Sequence, residues 1–165
     1  MSTLSLNEFL PYRLSIASNA VSDAVAQAYR ALFGLRISEW RLIAVLAEGG
    51  NMSQQALCGR TRMDKVTVSR AAIALANRGL IARASNPEDQ RSHLLTLTPE
   101  GIALYEQVSP KAIELERRIF AEFSDAERVQ LAAMLDRIEA AVEMFEEIGD
   151  GTGGGTGGGT GDKRG

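Results

Sequence analysis

SQQALCGRTRMDKVTVSRAAIALANRGLIARASNPEDQRSHLLTLTPEG, residues 53–101, changes its hydrophobic rhythm partway along, and that change decides the fold. Ser53 opens the run with a side chain suited to accept the free N–H groups of a first helical turn, and SQQALCGR follows as a short helix. Asp64 takes the same cap position before KVTVSRAAIALANR, which Gly79 stops just past its C-cap. About three residues separate the two helices, the length of a helix-turn-helix connection. On the second helix Val68, Ala72 and Leu75 share one side as core, while Lys65, Thr67, Ser69, Arg70 and Ala74 take the other. Past Gly79, LIARA and HLLTLT flank the turn-rich SNPEDQRS, the pattern of a β-hairpin. Thr98 and Pro99 then begin another helix, threonine as N-cap and proline at the first helical position, where its missing N–H costs nothing.

Upstream, Ser38 is a candidate N-cap for a helix over 39–47 that Gly49 and Gly50 end. Before it, Leu10, Leu14, Ala17, Val21, Ala24, Ala28 and Leu32 recur at three- and four-residue spacing and mark an amphipathic helix over 7–33, closed by Gly34. Downstream, a helix is expected over 100–123, with Pro110 breaking or kinking it. A last helix runs over 125–148, where Leu131, Ile138 and Phe145 repeat at seven beside a row of Met134, Ala141 and Ile148. The expected fold class is therefore mainly α with a small β-hairpin wing. A winged helix-turn-helix over 38–98 is framed by helices over 7–34 and 100–148, all within one unit, 1–148. Those long helices carry more apolar stripe than the small middle can cover, so they are expected to pack against a second copy, making a homodimer. Residues 149–165 hold ten of the sixteen glycines and no apolar side chain, and read as a disordered Gly/Thr tail.

A chain of 165 residues that is 45% apolar and 24% charged suits a single soluble domain and excludes collagen and disulfide-stapled classes. One cysteine, Cys58, and one histidine, His93, are too few for a closed zinc site or an iron–sulfur cluster, and no cofactor is implied. Cys58 reads as a small apolar residue and His93 as a strand-surface or phosphate-contact residue. No apolar run approaches the roughly 18 residues of a membrane span, and MSTLSLNEFLPYR lacks the pattern of a secretory signal, so no membrane partner and a cytoplasmic place are expected. No glycine-rich phosphate loop joins a strand to a helix, and no nucleophile has a base at recognisable spacing, so the chain is not expected to be an enzyme.

The formal net charge of −3 conceals a polarity. Residues 53–93 carry seven basic and three acidic side chains, a balance of +4, whereas 112–148 carry four and ten, a balance of −6. An anionic polymer must meet the middle of the chain, and double-stranded DNA is the polymer that a helix-turn-helix fits. Lys65, Thr67 and Arg70 are the candidates for base-edge readout, since arginine and lysine donate to guanine and a hydroxyl reaches base edges. Ser53, Gln54, Arg62 and Ser69 are candidates for contacts to the DNA backbone.

As a set, DKVTVSRAAIALANRGLIAR followed by NPEDQRSHLLTLTPEG resembles the recognition helix and wing of the MarR family of bacterial transcription regulators, and the resemblance extends over about 10–148. It rests on the Asp-x-Arg at Asp89 and Arg91 and on the Leu-Thr-x-x-Gly from Leu97 to Gly101. The resemblance implies that Arg91 enters a minor groove from the wing tip with Asp89 holding its guanidinium. It also implies a homodimer on a pseudo-palindromic operator, most often a repressor released by a small aromatic acid or phenolic compound bound between the dimerisation helices and the winged domain. Candidates for that effector site are Arg13, Ser18 and Ser22 on the first helix and Trp40 and Arg41 beside it, an arginine to pair with a carboxylate and Trp40 to stack on a ring. The plainer alternative makes Trp40 core and the arginines solvated or ion-paired. Members that sense peroxides do so through a cysteine in the first helix, where this chain has none. The competing function is a homodimeric winged-helix module that binds protein, which would not require a basic recognition face.

Overall fold

The computed structural model describes residues 4–87 and 93–151, which fall into two compact units divided after Ile119. The first follows the order α1 Leu10–Phe33, α2 Ile37–Gly49, β1 Met52–Ser53, α3 Gln54–Thr61, α4 Lys65–Asn77, β2 Ile81–Ser85, β3 His93–Leu97 and α5 Pro99–Ile119. The second is built on α6, Asp125–Gly151. No described helix is long and apolar enough to cross a membrane.

Most helix ends fall where local chemistry puts them. The Ser53 hydroxyl accepts the Ala56 N–H at 3.2 Å, and an Asp64 carboxylate oxygen accepts the Thr67 N–H at 2.8 Å. Gly34 closes α1 in the left-handed conformation, φ 61°. Gly79, at φ 70°, follows the last residue of α4's cap; Leu80 donates to the Leu75 carbonyl at 3.0 Å and Gly79 to Ala76 at 2.9 Å, the paired bonds of a Schellman motif. The Thr98 hydroxyl accepts the Gly101 N–H at 3.1 Å and donates to the Gly79 carbonyl at 2.7 Å, so one side chain caps α5 and ties it to the end of α4. In the second unit Ser124 and Glu127 form a reciprocal capping box at the start of α6, with the Ser124 N–H donating to the Glu127 carboxylate at 2.8 Å.

Five expectations need correction. Ser38 is not the cap of α2: the helix starts at Ile37 with Arg36 at the cap position, the Arg36 N–H is taken by the Glu39 carboxylate at 2.9 Å, and Ser38 is already the second helical residue. The first helix begins at Leu10, three residues later than 7, with Pro11 in its first turn where no N–H is needed. Pro110 does not end its helix; α5 runs through it to Ile119, because Val108 is fully buried and Ala112 and Leu115 pack on the same core, holding the turns on both sides. The hairpin gains a third strand: β3 lies between β1 and β2, all antiparallel, with Met52 opposite Leu95 and Ile81 opposite Leu97. Helix α6 continues to Gly151, three residues past the expected end, and the rest of the Gly/Thr tail lies outside the described residues.

The core sits under the helix-turn-helix. Leu42 and Ile43 of α2, Leu57 of α3, Val68 and Leu75 of α4, Leu95 of β3 and Val108 of α5 are all buried. Gly101 lets α5 approach β2: a Cβ there would overlap the Leu80 carbonyl oxygen, which also accepts the Thr98 N–H at 3.1 Å. By contrast α1 buries only Tyr29, and in α6 no residue among those described is buried, with Phe145 left 79% exposed.

Candidate nucleic-acid interface

Helices α3 and α4 meet at a tight turn in which Arg62 adopts φ 53°, a left-handed conformation uncommon outside glycine. The Thr61 hydroxyl braces that turn by donating to the Leu57 carbonyl at 2.6 Å. The turn brings the N-terminus of α4 to the surface, where its free N–H groups and positive end favour an anion. Asp64 occupies part of that end. Its carboxylate accepts the Thr67 hydroxyl at 2.6 Å as well as the Thr67 N–H, and these bonds, the hydroxyl's first, hold its pKa below the ordinary 3.8.

The exposed side of α4 differs from the expected one. At about 100° per residue, the buried stripe of Val68, Ala71, Ala72 and Leu75 lies opposite Val66, Arg70, Ile73 and Asn77, all of which are exposed. Lys65 is exposed at the helix start, but Thr67, Ser69 and Ala74 sit half-buried on the flanks. Thr67 has its hydroxyl proton committed to Asp64, so what it offers DNA is a lone pair. Ser53 and Gln54 are half-buried at the start of α3, with the Ser53 hydroxyl accepting its cap bond; Arg62 is exposed.

The local positive charge is not all available. Arg78 donates to the Gly34 and Phe33 carbonyls at 3.2 and 3.3 Å and lies 3.9 Å from the buried Glu39 carboxylate, so it joins the ends of α1, α2 and α4. Arg83, on β2, is exposed and adds a cation on the hairpin that the reading of the sequence left without a role. His93 is exposed at the start of β3, opposite Ser85. Asp89 and Arg91, the expected wing-tip pair, lie outside the described residues.

The expected effector residues are scattered. Trp40 is half-buried, stacked on Tyr105 with centroids 5.7 Å apart and tilted against Tyr29 at 5.4 Å, so aromatic partners of its own chain already occupy it. Burial raises the pKa of the Tyr29 hydroxyl. Arg41 is exposed, as are Arg13 and Ser18, while Ser22 is half-buried. At about 1.5 Å per residue, Arg13 stands roughly 24 Å along α1 from the Tyr29 that Trp40 touches, Ser18 roughly 16 Å and Ser22 roughly 10 Å. An open cavity of about 390 Å³ on α1 is lined by Asp23, Ala26, Gln27, Arg30 and Ala31, none of them among the five. Cys58 is half-buried and packs against the core as a small apolar residue does.

This arrangement of capped helices and strands recurs in known proteins. Residues 33–92 match the MarR family model. A putative transcriptional regulatory protein for the hcr operon of Thauera aromatica is 29% identical over 97 residues, a match spanning 59% of this chain and 58% of that one. The homoprotocatechuate degradative operon repressor of Escherichia coli is 28% identical over 130 residues, 77% of this chain and 88% of the relative. Among solved structures, a MarR/EmrR family transcriptional regulator from Acinetobacter sp. ADP1 is 30% identical with a TM-score of 0.79, covering 86% of this chain and 99% of that one. BpsR of Bordetella bronchiseptica, whose DNA binding is regulated by 6-hydroxynicotinic acid, is 26% identical with a TM-score of 0.76 and covers 84% and 98%. With the same fold, the same helix-turn-helix and 30% identity across nearly all of a solved member, the chain belongs to the MarR family of winged-helix DNA-binding transcriptional regulators and is not an enzyme.

Proposed function

We propose that this regulator is a homodimeric repressor that leaves a pseudo-palindromic operator when a small aromatic acid or related phenolic compound binds. What carries the reading is the exposed part of α4, where Arg70 stands on the outer side and Lys65 stands at a helix N-terminus that faces solvent. In a dimer two such helices enter successive major grooves about 34 Å apart, and Arg91, held by Asp89, reaches into the flanking minor groove. Lys65, Thr67 and Arg70 contact base edges, with Ser53, Gln54, Arg62 and Ser69 on the phosphates. The exposed apolar residues of α1 and of α6, Leu10 and Phe145 among them, supply the surface for the second copy. The protein works in the cytoplasm, where its operator is.

The effector class is supported by the relatives: one represses a homoprotocatechuate degradative operon and another answers to 6-hydroxynicotinic acid. The ligand binds where α1 meets the winged region, with Trp40 and Arg41 at that junction and Ser22, Ser18 and Arg13 further along α1. To empty the operator it must favour the non-binding dimer by a large ratio, about 10⁴ for a shift from 1:99 to 99:1. A band-shift titration of the full chain against its own upstream DNA, at two salt concentrations and with a panel of aromatic acids and their thioesters, tests this. Salt-dependent specific binding relieved by one compound is the expected result. Absence of binding to any duplex would transfer the winged domain to a protein partner.

A further inference from the structure

The outer stripe of α4 contains two side chains that the fold does not need there. Val66 is 57% exposed and Ile73 48% exposed, on either side of Arg70 and about opposite the buried stripe. The polar face of an amphipathic helix is ordinarily filled by unbranched polar residues, and β-branched side chains are weaker helix formers. Here valine and isoleucine take that cost without gaining burial. Neither belongs to the cluster of residues packed on the core. Their neighbours on the surface are Lys65 and Arg70, which suit a polyanion and do not suit an apolar protein groove.

We infer that Val66 and Ile73 are specificity-determining residues, each placed against the C5-methyl group of a thymine in the major groove of the operator. The thymine methyl is the one apolar group that the major-groove edge of a base pair presents, and a residue flanking an arginine bound to guanine meets it at the next base steps. Val66 lies in the first turn of α4, the part of a recognition helix that goes deepest. Ile73 follows two turns later on the same stripe, so the pair brackets the base that Arg70 reads. The operator half-site is therefore expected to hold thymine beside guanine, and the apolar contacts discriminate against cytosine and against uracil alike. The inference rests on the operator-binding reading above.

The test uses the full chain and its own upstream fragment, prepared once with thymine and once with uracil throughout, which removes the methyl groups and keeps the pairing. Burial of one methyl group corresponds to about a fourfold change in affinity, so the wild type should bind the uracil fragment at least fourfold more weakly. The Val66→Ala, Ile73→Ala double variant should bind the thymine fragment more weakly than the wild type and lose most of the difference between fragments. Both positions are exposed and alanine is the better helix former, so its melting temperature should be no lower than the wild-type value, which excludes misfolding as the cause. Equal binding of the two fragments by the wild type overturns the inference while leaving the regulator reading intact. An undiminished uracil effect in the double variant also overturns it, since the methyl groups would then act through DNA shape. Failure of the wild type to bind either fragment overturns both readings.

Discussion

At Gly101 the absence of a side chain is what allows α5 to rest on the end of β2. The Leu80 carbonyl in the way of any Cβ is backbone and already accepts the Thr98 N–H, so it has little room to move. Gly101→Ala is expected to destabilise the protein by about 1–3 kcal/mol, an overpacking cost, seen as a lower midpoint in chemical denaturation. Asp64 acts through charge. Its folded pKa is lowered, so its stabilisation is complete above the unfolded value near 3.8 and is lost as the pH falls through the lower folded value. The acid limb of the stability curve should therefore be shallower in Asp64→Asn than in the wild type, while an identical limb would mean that the Thr67 bonds are not maintained in solution. Arg91 is argued from family resemblance, and Arg91→Ala should weaken operator binding by about 1–3 kcal/mol with the dimer intact. Unchanged affinity in a band shift would remove the wing from the interface.

Helix α4 is held at both ends, by Asp64 at its start and by Arg78 at its close. The guanidinium bridges two carbonyls at the end of α1 and neighbours Glu39, which is only 6% exposed, so its removal leaves a buried carboxylate without its cation. Arg78→Ala is expected to cost about 1–3 kcal/mol in stability, and Arg78→Lys to recover only part of that because an ammonium cannot fork to two carbonyls. Equal melting temperatures for Arg78→Lys and the wild type would show that charge alone is needed. The same element shows how far the sequence could be read. The caps Ser53, Asp64 and Thr98 and the stops Gly34 and Gly79 were legible because each acts within a turn of its own chain. The outward stripe was misread: Thr67, Ser69 and Ala74 are polar or small, but at about 100° per residue they fall on the flanks of the buried stripe and are half-buried, and Val66 and Ile73 face out.

Over the whole molecule the deciding feature is apolar surface that one chain does not cover. Leu10 is 74% exposed on α1 and Phe145 79% exposed on α6, each within its own unit. Phe145→Glu should shift the sedimenting species from dimer to monomer at micromolar concentration, since each large side chain withdrawn from water contributes about 1.5–3 kcal/mol and a buried carboxylate adds its own penalty. A dimer of unchanged strength would place the interface away from α6.

The sequence by itself determined the order of the helices and of the hairpin, several of the helix ends and the family, because caps, turns and helical periodicity are set by residues within a few positions of one another. Tertiary structure alone decided the rest. Met52 and Ser53 became a strand only because Leu95 and Leu94 lie beside them, and two residues carry no period to read. Pro110 stayed within a helix because the core grips both sides of it, Trp40 became half-buried against the core because Tyr29 and Tyr105 close on it, and Arg78 lies across the surface to the end of α1 because that end offered it carbonyls. Each of these outcomes depends on partners that are distant along the chain, and contact between such partners is what folding creates.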